Sequence, residues 1–326
     1  MPKRLYSDDE LLAALKLHGN PTLAARALGV SERLMRRHRQ RLSEAGHHIV
    51  TKHTHRNNVP AEYRDDGWTF PRQKNVWMHE GTVVVFSDAH YWPDDVSLAH
   101  KALLDVIAEV KPRLVVANGD IFDGGSISRH DAMGFAKKPT PIQELHACQE
   151  RLGEVEQAVP RGCELLWNIG NHDVRWERTL AGSVEQFAGL HGLRLQDHFP
   201  AWEFQMSVML NAESPHPVMV KHRIAGGIHA GYNNTLKGGI TTVTSHTHGL
   251  EVKPWGDYRG RRWGVQTGSL ANLHSAAFEY MENSPSPMCS GFAVLTFAGG
   301  ELLPPELCEV IGDKAYFRGK TVGGSV

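Results

Sequence analysis

Five short segments of the chain bring carboxylate, amide and imidazole side chains together at spacings that suit metal binding: Asp88-Ala89-His90, Asp120 with Asp123, Asn171-His172-Asp173, His229, and His246-Thr247-His248. Residues two apart in extended chain lie on one side, so Asp88 with His90, and His246 with His248, can each address one point. Gly119 lets the backbone turn sharply before Asp120, whose two carboxylate oxygens can serve two cations. With 20 histidines in the chain, a lone histidine carries little weight and position within a motif carries more. Each segment taken singly is equally well an ordinary strand-end turn. The five in one order point to a shared crevice of hard oxygen and borderline nitrogen ligands.

The elements around these segments decide whether they can meet. From Thr82 the chain alternates apolar runs with amphipathic stretches: TVVVFS, VSLAHKALLDVIAEV, RLVVAN, PIQELHACQERLGEVEQAV, ELLWNI. That is a βαβαβ pattern, which implies parallel strands with helical cover and functional loops at the carboxyl ends of the strands. The first three ligand segments follow those strands. Further on, QMSVML, PVMVKH, AGGIHA, TTVTSH, RWGVQT and FAVLTFA read as short strands of a second, more antiparallel sheet, with His229 and the His246/His248 pair at strand ends.

The ordered set D-x-H, G-D-x-x-D, G-N-H-D, H and H-T-H resembles the signature of calcineurin-like metallophosphoesterases, over roughly residues 82 to 270. The resemblance implies an α/β fold, a two-sheet β-sandwich flanked by helices, in agreement with the alternation of elements. It also implies one metal held by Asp88, His90, Asp120 and His248, and a second by Asp120, Asn171, His229 and His246, with Asp120 as the bridge. Such a mixed donor set suits two divalent transition metal ions, Mn first, Fe or Zn as alternatives. Two ions roughly 3.5 to 4 Å apart would acidify a water for in-line attack on a phosphate ester. His172 is then a general acid or charge stabiliser, and Asp123 and Asp173 orient ligands or cap turns. In the fifth motif Ser245 stands where the family usually has glycine. Gly268-Ser269-Leu270 resembles the segment that follows the family's last histidines. Asp123-Gly124-Gly125 in place of D-R-G, and Gly-Asn-His-Asp in place of R-G-N-H-E, argue against the protein serine/threonine phosphatase branch.

Residues 1–46 are expected to form a separate helical module. Ser7 and Glu10 make a capping box, Asn20-Pro21 opens a second helix, and Ser31 caps a third that ends at Gly46. Ala25, Gly29, Val30 and Met35 resemble a helix-turn-helix, in which Arg33, Arg36 and Arg37 would contact DNA or RNA and Arg39 and Arg41 extend the basic face. Equally, these arginines are a solvated face. Residues 47–80 read as a linker or arm, and 81–326 as the phosphoesterase domain. His47, His48, His53 and His55 lack the cysteine or carboxylate partners of a finger-like zinc site. His130, next to Arg129 and Asp131, is either a substrate contact or a surface residue.

A net charge of -1 leaves no global field to attract nucleic acid, so any such contact must be local. No apolar run reaches the roughly 18 residues a membrane span needs, and the expected location is the cytoplasm. Cys148, Cys163, Cys289 and Cys308 are scattered, as reduced thiols would be. Trp167, Trp176, Trp202 and Trp255 are expected to pack in the core or against loops. The expected function is hydrolysis of a phosphate ester, a nuclease or phosphodiesterase on nucleic acid because a basic helix-turn-helix-like module is paired with the phosphoesterase domain in one chain. The alternatives are a phosphomonoesterase on phosphoproteins or small esters, and a DNA-binding regulator that senses metal.

Overall fold

The computed structural model describes residues 6–18, 21–44, 72–129, 138–187, 190–275, 278 and 286–324. The zinc-rejected histidines at 47–55, the expected cap and helix end at 20 and 46, and His130 lie outside them. The chain divides into two compact units, Met1–Thr69 and Phe70–Val326.

In the first unit, α1 (Asp8–His18), α2 (Pro21–Ala27) and α3 (Glu32–Glu44) pack around Leu11, Leu15, Ala24, Ala25, Met35 and Leu42. The capping box is formed: the Ser7 N–H donates to Glu10 Oε2 at 2.7 Å, and the Glu10 N–H donates to Ser7 Oγ at 3.2 Å. Arg41 donates through both terminal nitrogens to the Asp8 carboxylate, so its charge is spent tying α3 to α1. Arg33 and Arg37 are exposed.

The second unit is a sandwich of two mixed sheets. Among the described residues, β2 (Gly81–Phe86), β3 (Leu114–Ala117), β4 (Glu164–Asn168) and β5 (Glu203–Gln205) run parallel in the larger sheet. α4 (Leu98–Val110), α5 (Pro141–Ala158) and α6 (Val174–Ser183) lie in the crossovers that these parallel neighbours require. β11 (Gly291–Ala298) pairs antiparallel with β2, and β13 (Glu306–Ile311), β14 (Lys314–Phe317) and β15 (Lys320–Val322) extend that edge. β12 (Glu301–Leu302) forms a hairpin with β11.

The smaller sheet has the order β1-β6-β7-β8-β10-β9, from β1 (Lys74–Val76), β6 (Val208–Leu210), β7 (Val218–Val220), β8 (Thr241–Thr244), β10 (Gly260–Thr267) and β9 (Leu250–Asp257). Its centre, β7-β8-β10, is parallel, because α7 (Ala230–Gly238) makes a crossover between β7 and β8. The expectation of a more antiparallel second sheet is corrected here. FAVLTFA, assigned to it from its apolar run, is β11 of the larger sheet. β1 lies inside the stretch expected to be a linker.

Alternation along β2 separates two cores. Val83 and Val85 meet Val208, Val218, Val220, Val243 and Val265 between the sheets, while Val84 and Phe86 meet Leu103, Ile107 and Leu152 under α4 and α5. Burying each such side chain stabilises the fold by roughly 1.5–3 kcal/mol. Trp167, stacked on Phe204 at 4.7 Å, and Trp202 belong to the helix-side core. All four cysteines are free thiols. Among the described residues no helix is long and apolar enough to cross a membrane.

Candidate metal centre

The carboxyl ends of β2, β3, β4, β7 and β8 converge, and the side chains they deliver sit on unusual backbone. Asp88, His90, Asp120, His246 and His248 all have positive φ, between 40° and 72°. Left-handed backbone is disfavoured for residues with a Cβ, and such strain persists where the surroundings over-determine it. The turns are tight enough to exclude ordinary side chains: a Cβ at Gly170 would stand 2.1 Å from Asp120 Oδ1, and one at Gly119 2.5 Å from His222 Nδ1.

Two groups of donors result, Asp88, His90 and His248 in one, Asp120, His222 and His246 in the other. Hydrogen bonds fix what their atoms offer. His90 Nδ1 lies 3.0 Å from Asp123 Oδ1, and a carboxylate only accepts, so Nδ1 carries the proton and Nε2 presents a lone pair. That Nε2 is buried without a hydrogen-bond partner among the described residues, and the buried Asp88 Oδ1 faces His248 Nε2 at 3.2 Å. His222 Nδ1 donates to the Asn118 carbonyl at 2.8 Å, which leaves Nε2 facing Asp120 Oδ2 at 3.2 Å and Asn171 Oδ1 at 3.3 Å. Unless Nε2 holds a second proton, three lone pairs converge there. Burial disfavours that proton, but the Asp120 and Asp88 carboxylates push His222 up to about 9. Burial opposes ionisation of Asp120, and the His222, His172 and His90 rings outweigh it and hold the carboxyl far below its usual range. Both groups therefore call for positive charge at a point where lone pairs meet, and the donor set fits divalent cations.

A third group, His90, Asp123 and His172, is accounted for without a cation. Asp123 Oδ1 accepts from Nδ1 of both rings, at 3.0 Å and 2.9 Å. Burial would raise the Asp123 carboxyl, yet these two imidazoles hold it well below the usual range. Asp173 joins segments that are distant in sequence. It accepts from the backbone N–H groups of Asp120, Ile121, Phe122 and Gly170 and from Trp167 Nε1, all between 2.8 and 3.1 Å. Beneath the donors a buried polar chain crosses between the sheets: Asn168 Nδ2 donates to Asn118 Oδ1, Asn118 Nδ2 to Ser245 Oγ, and the Ser245 and Thr267 hydroxyls meet at 2.9 Å. Ser245, the departure from the family's glycine, is thus a member of that chain. Asp120 Oδ1 accepts the His172 backbone N–H at 2.7 Å, so of its two oxygens only Oδ2 is turned to His222.

The structure brings together Asp88, His90, Asp120, Asn171, His172, His246 and His248. It does not bring His229 to them: this residue is exposed just before α7 and belongs to neither group. AGGIHA is not a strand, and His222, two residues beyond β7 and 2% exposed, occupies the place expected of His229. PVMVKH ends on that histidine, which was the available signal. Other residues at the site had no sequence signal: Arg175, whose Nη2 contacts His172 Nε2 at 3.1 Å; Glu144, which accepts from the Gly124 and Gly125 N–H groups; and Phe278 and Met288, which line the cavity. Burial, aided by the Asp123 charge, pushes the Glu144 carboxyl up to about 8.

The calcineurin-like phosphoesterase family model matches residues 81–263, more than half of the chain, and the chain belongs to that family. No curated protein matches its sequence. Among solved structures it is similar to zinc-complexed Vps29 of Entamoeba histolytica (13% identity, 74% of this chain and 98% of that one, TM-score 0.40). It is also similar to the Escherichia coli phosphoesterase YfcE (16% identity, 69% and 97%, TM-score 0.33) and to Pseudomonas putida nuclease MPE (14% identity, 68% and 86%, TM-score 0.29).

Proposed function

We propose that this phosphoesterase hydrolyses phosphodiesters, with nucleic acid as its substrate class, at two divalent cations. Asp88, His90 and His248 would hold one, Asn171, His222 and His246 the other, and Asp120 would serve both. Bound there, the cations would supply an acidified water and neutralise phosphoryl charge. The observation that carries the diester preference is the composition of the cavity, about 160 Å³, over the donors. Imidazoles and the Asp120 and Asp123 carboxylates line it and Phe278 and Met288 form an apolar wall; the guanidinium at its edge, Arg175, is engaged by the Asp123 carbonyl at 2.8 Å and by His172 Nε2 at 3.1 Å. A monoester dianion brings one more negative charge beside the Asp120 and Asp123 carboxylates. A diester carries one charge fewer and brings a second substituent that an apolar wall accommodates.

His172 would act as proton donor to the leaving oxygen. Its Nδ1–H is held by Asp123, and Nε2, which accepts from Arg175 Nη2 at 3.1 Å, is the atom that would exchange that contact for the proton it takes and passes. Burial disfavours the imidazolium, but the Asp123 hydrogen bond and the Asp120 charge raise the pKa above that of free histidine, against opposition from Arg175. In the N-terminal unit the exposed Arg33 and Arg37 of α3 support contact with a phosphate backbone, and Arg36 is proposed with them.

The test is hydrolysis of bis-p-nitrophenyl phosphate against p-nitrophenyl phosphate by manganese-loaded protein. The expected result is a diester preference of about tenfold or more in kcat/KM, lost in His172→Ala. A monoester preference would make the chain a phosphomonoesterase, and inertness toward both esters with every divalent metal would remove the hydrolytic function.

A further inference from the structure

A second cavity, of mixed polar and apolar lining, lies at the other end of the smaller sheet. Its volume is about 260 Å³, and Ser214, His216, Thr241, Arg259, Arg261 and Arg262 contribute to its wall. These residues precede β7, precede or open β8, and open β10, three strands that run parallel. The candidate ligands His222 and His246 follow β7 and β8. The two cavities are therefore separated by the length of these strands, roughly 15 to 20 Å at 3.3 Å per residue.

The hairpin of β9 and β10 interleaves cations with aromatic rings: Lys253, Trp255, Tyr258, Arg259, Arg261, Arg262 and Trp263. Its three arginines are not equivalent. Arg262 is committed, with Nη2 on both oxygens of Asp257 at 3.0 and 3.1 Å and its guanidinium 5.0 Å above the Trp255 ring. Arg261 lies 5.7 Å over Trp263, a contact that orients the guanidinium without neutralising it. Arg259 and Arg261 are exposed, and among the described residues neither guanidinium has a carboxylate partner, although the Arg259 backbone N–H donates to Asp257 Oδ1 at 2.8 Å. At the turn between the strands Tyr258 is fully exposed, a large ring with nothing packed on it.

Two uncompensated guanidinium groups on a cleft, one stacked and the other beside a bare tyrosine, recognise phosphate next to an unpaired base. We infer that this cleft is a second binding site for substrate, taking the phosphodiester backbone of a single-stranded nucleic acid while Tyr258 stacks on one of its bases. The inference rests on the phosphodiesterase function proposed above and gives it a polymer. A strand long enough to span that separation would engage both sites, whereas a dinucleotide or a nitrophenyl ester occupies the metal centre alone. Long substrates therefore gain affinity that short ones do not, from charge local to one hairpin in a chain of net charge -1.

The experiment measures binding of a fluorescein-labelled oligothymidylate of about twenty nucleotides to the full chain in EDTA, by anisotropy, over a salt series. Arg259→Ala/Arg261→Ala is expected to raise Kd about tenfold or more and to flatten the salt dependence, and Tyr258→Ala to raise Kd several-fold at an unchanged salt slope. Hydrolysis of bis-p-nitrophenyl phosphate by both variants is expected to equal that of the parent, which also shows that they fold. Equal Kd in parent and arginine variant, or no binding by the parent, would overturn the inference. So would displacement of the oligomer by tripolyphosphate at stoichiometric concentration, since the cleft would then be a polyphosphate site. If the oligomer binds through Arg259 and Arg261 while no ester is hydrolysed, the second site stands and the catalytic proposal falls.

Discussion

His222→Ala is expected to lower manganese-dependent hydrolysis at least a hundredfold, and His229→Ala to leave it within about twofold. The contrast follows from where the two rings are. His222 is 2% exposed, has its tautomer set by the Asn118 carbonyl, and turns Nε2 to Asp120 and Asn171. His229 is exposed ahead of α7. Loss of the His222 ring removes one nitrogen donor from a group of few, so one equivalent of metal should be lost with the activity. Steady-state kinetics with metal analysis of the dialysed proteins checks both. Equal losses in the two variants would return His229 to the centre.

The largest expected effect on stability is that of Asp173→Ala, on the order of 3 to 5 kcal/mol, because five buried N–H donors lose their acceptor together. Asp173→Asn should recover only part of this, since its NH2 group would face N–H groups that need an acceptor. The same donors set the backbone of Asp120 and Gly170, so metal affinity should fall alongside. Urea unfolding, read as a midpoint shift at constant m-value, measures the effect. A shift worth less than about 1 kcal/mol would mean that water replaces the carboxylate at little cost.

Most of the candidate centre is visible in the linear chain because a metal site demands both residue type and order. Asp88, His90, Asp120, Asn171, His246 and His248 follow runs whose apolar pattern marks them as strands, and the structure gathers all six. His222 was hidden by a competing pattern. AGGIHA has the apolar look of a strand end, but Gly226 and Gly227 lead into α7, and the strand that delivers a ring is the shorter VMV before it. Asp173 looked as much like a turn cap as an orienting residue because its donors come from distant segments. Ser245 became intelligible only once the Asn118–Thr267 chain crossed between the sheets. Sheet membership was the least legible feature. FAVLTFA is as apolar as any strand of the smaller sheet, but its partner is β2, through pairs such as Ala293 with Val85, and no local pattern encodes a partner some two hundred residues away.

The most direct measurement is the anomalous difference density of crystals of the manganese-loaded protein. Two peaks are expected in the cavity. One should be bounded by Asp88, His90 and His248, the other by His222, His246 and Asn171, with Asp120 between them. A single peak, or a second peak bounded by His229 with His222 turned away, would contradict the two-cation centre described here.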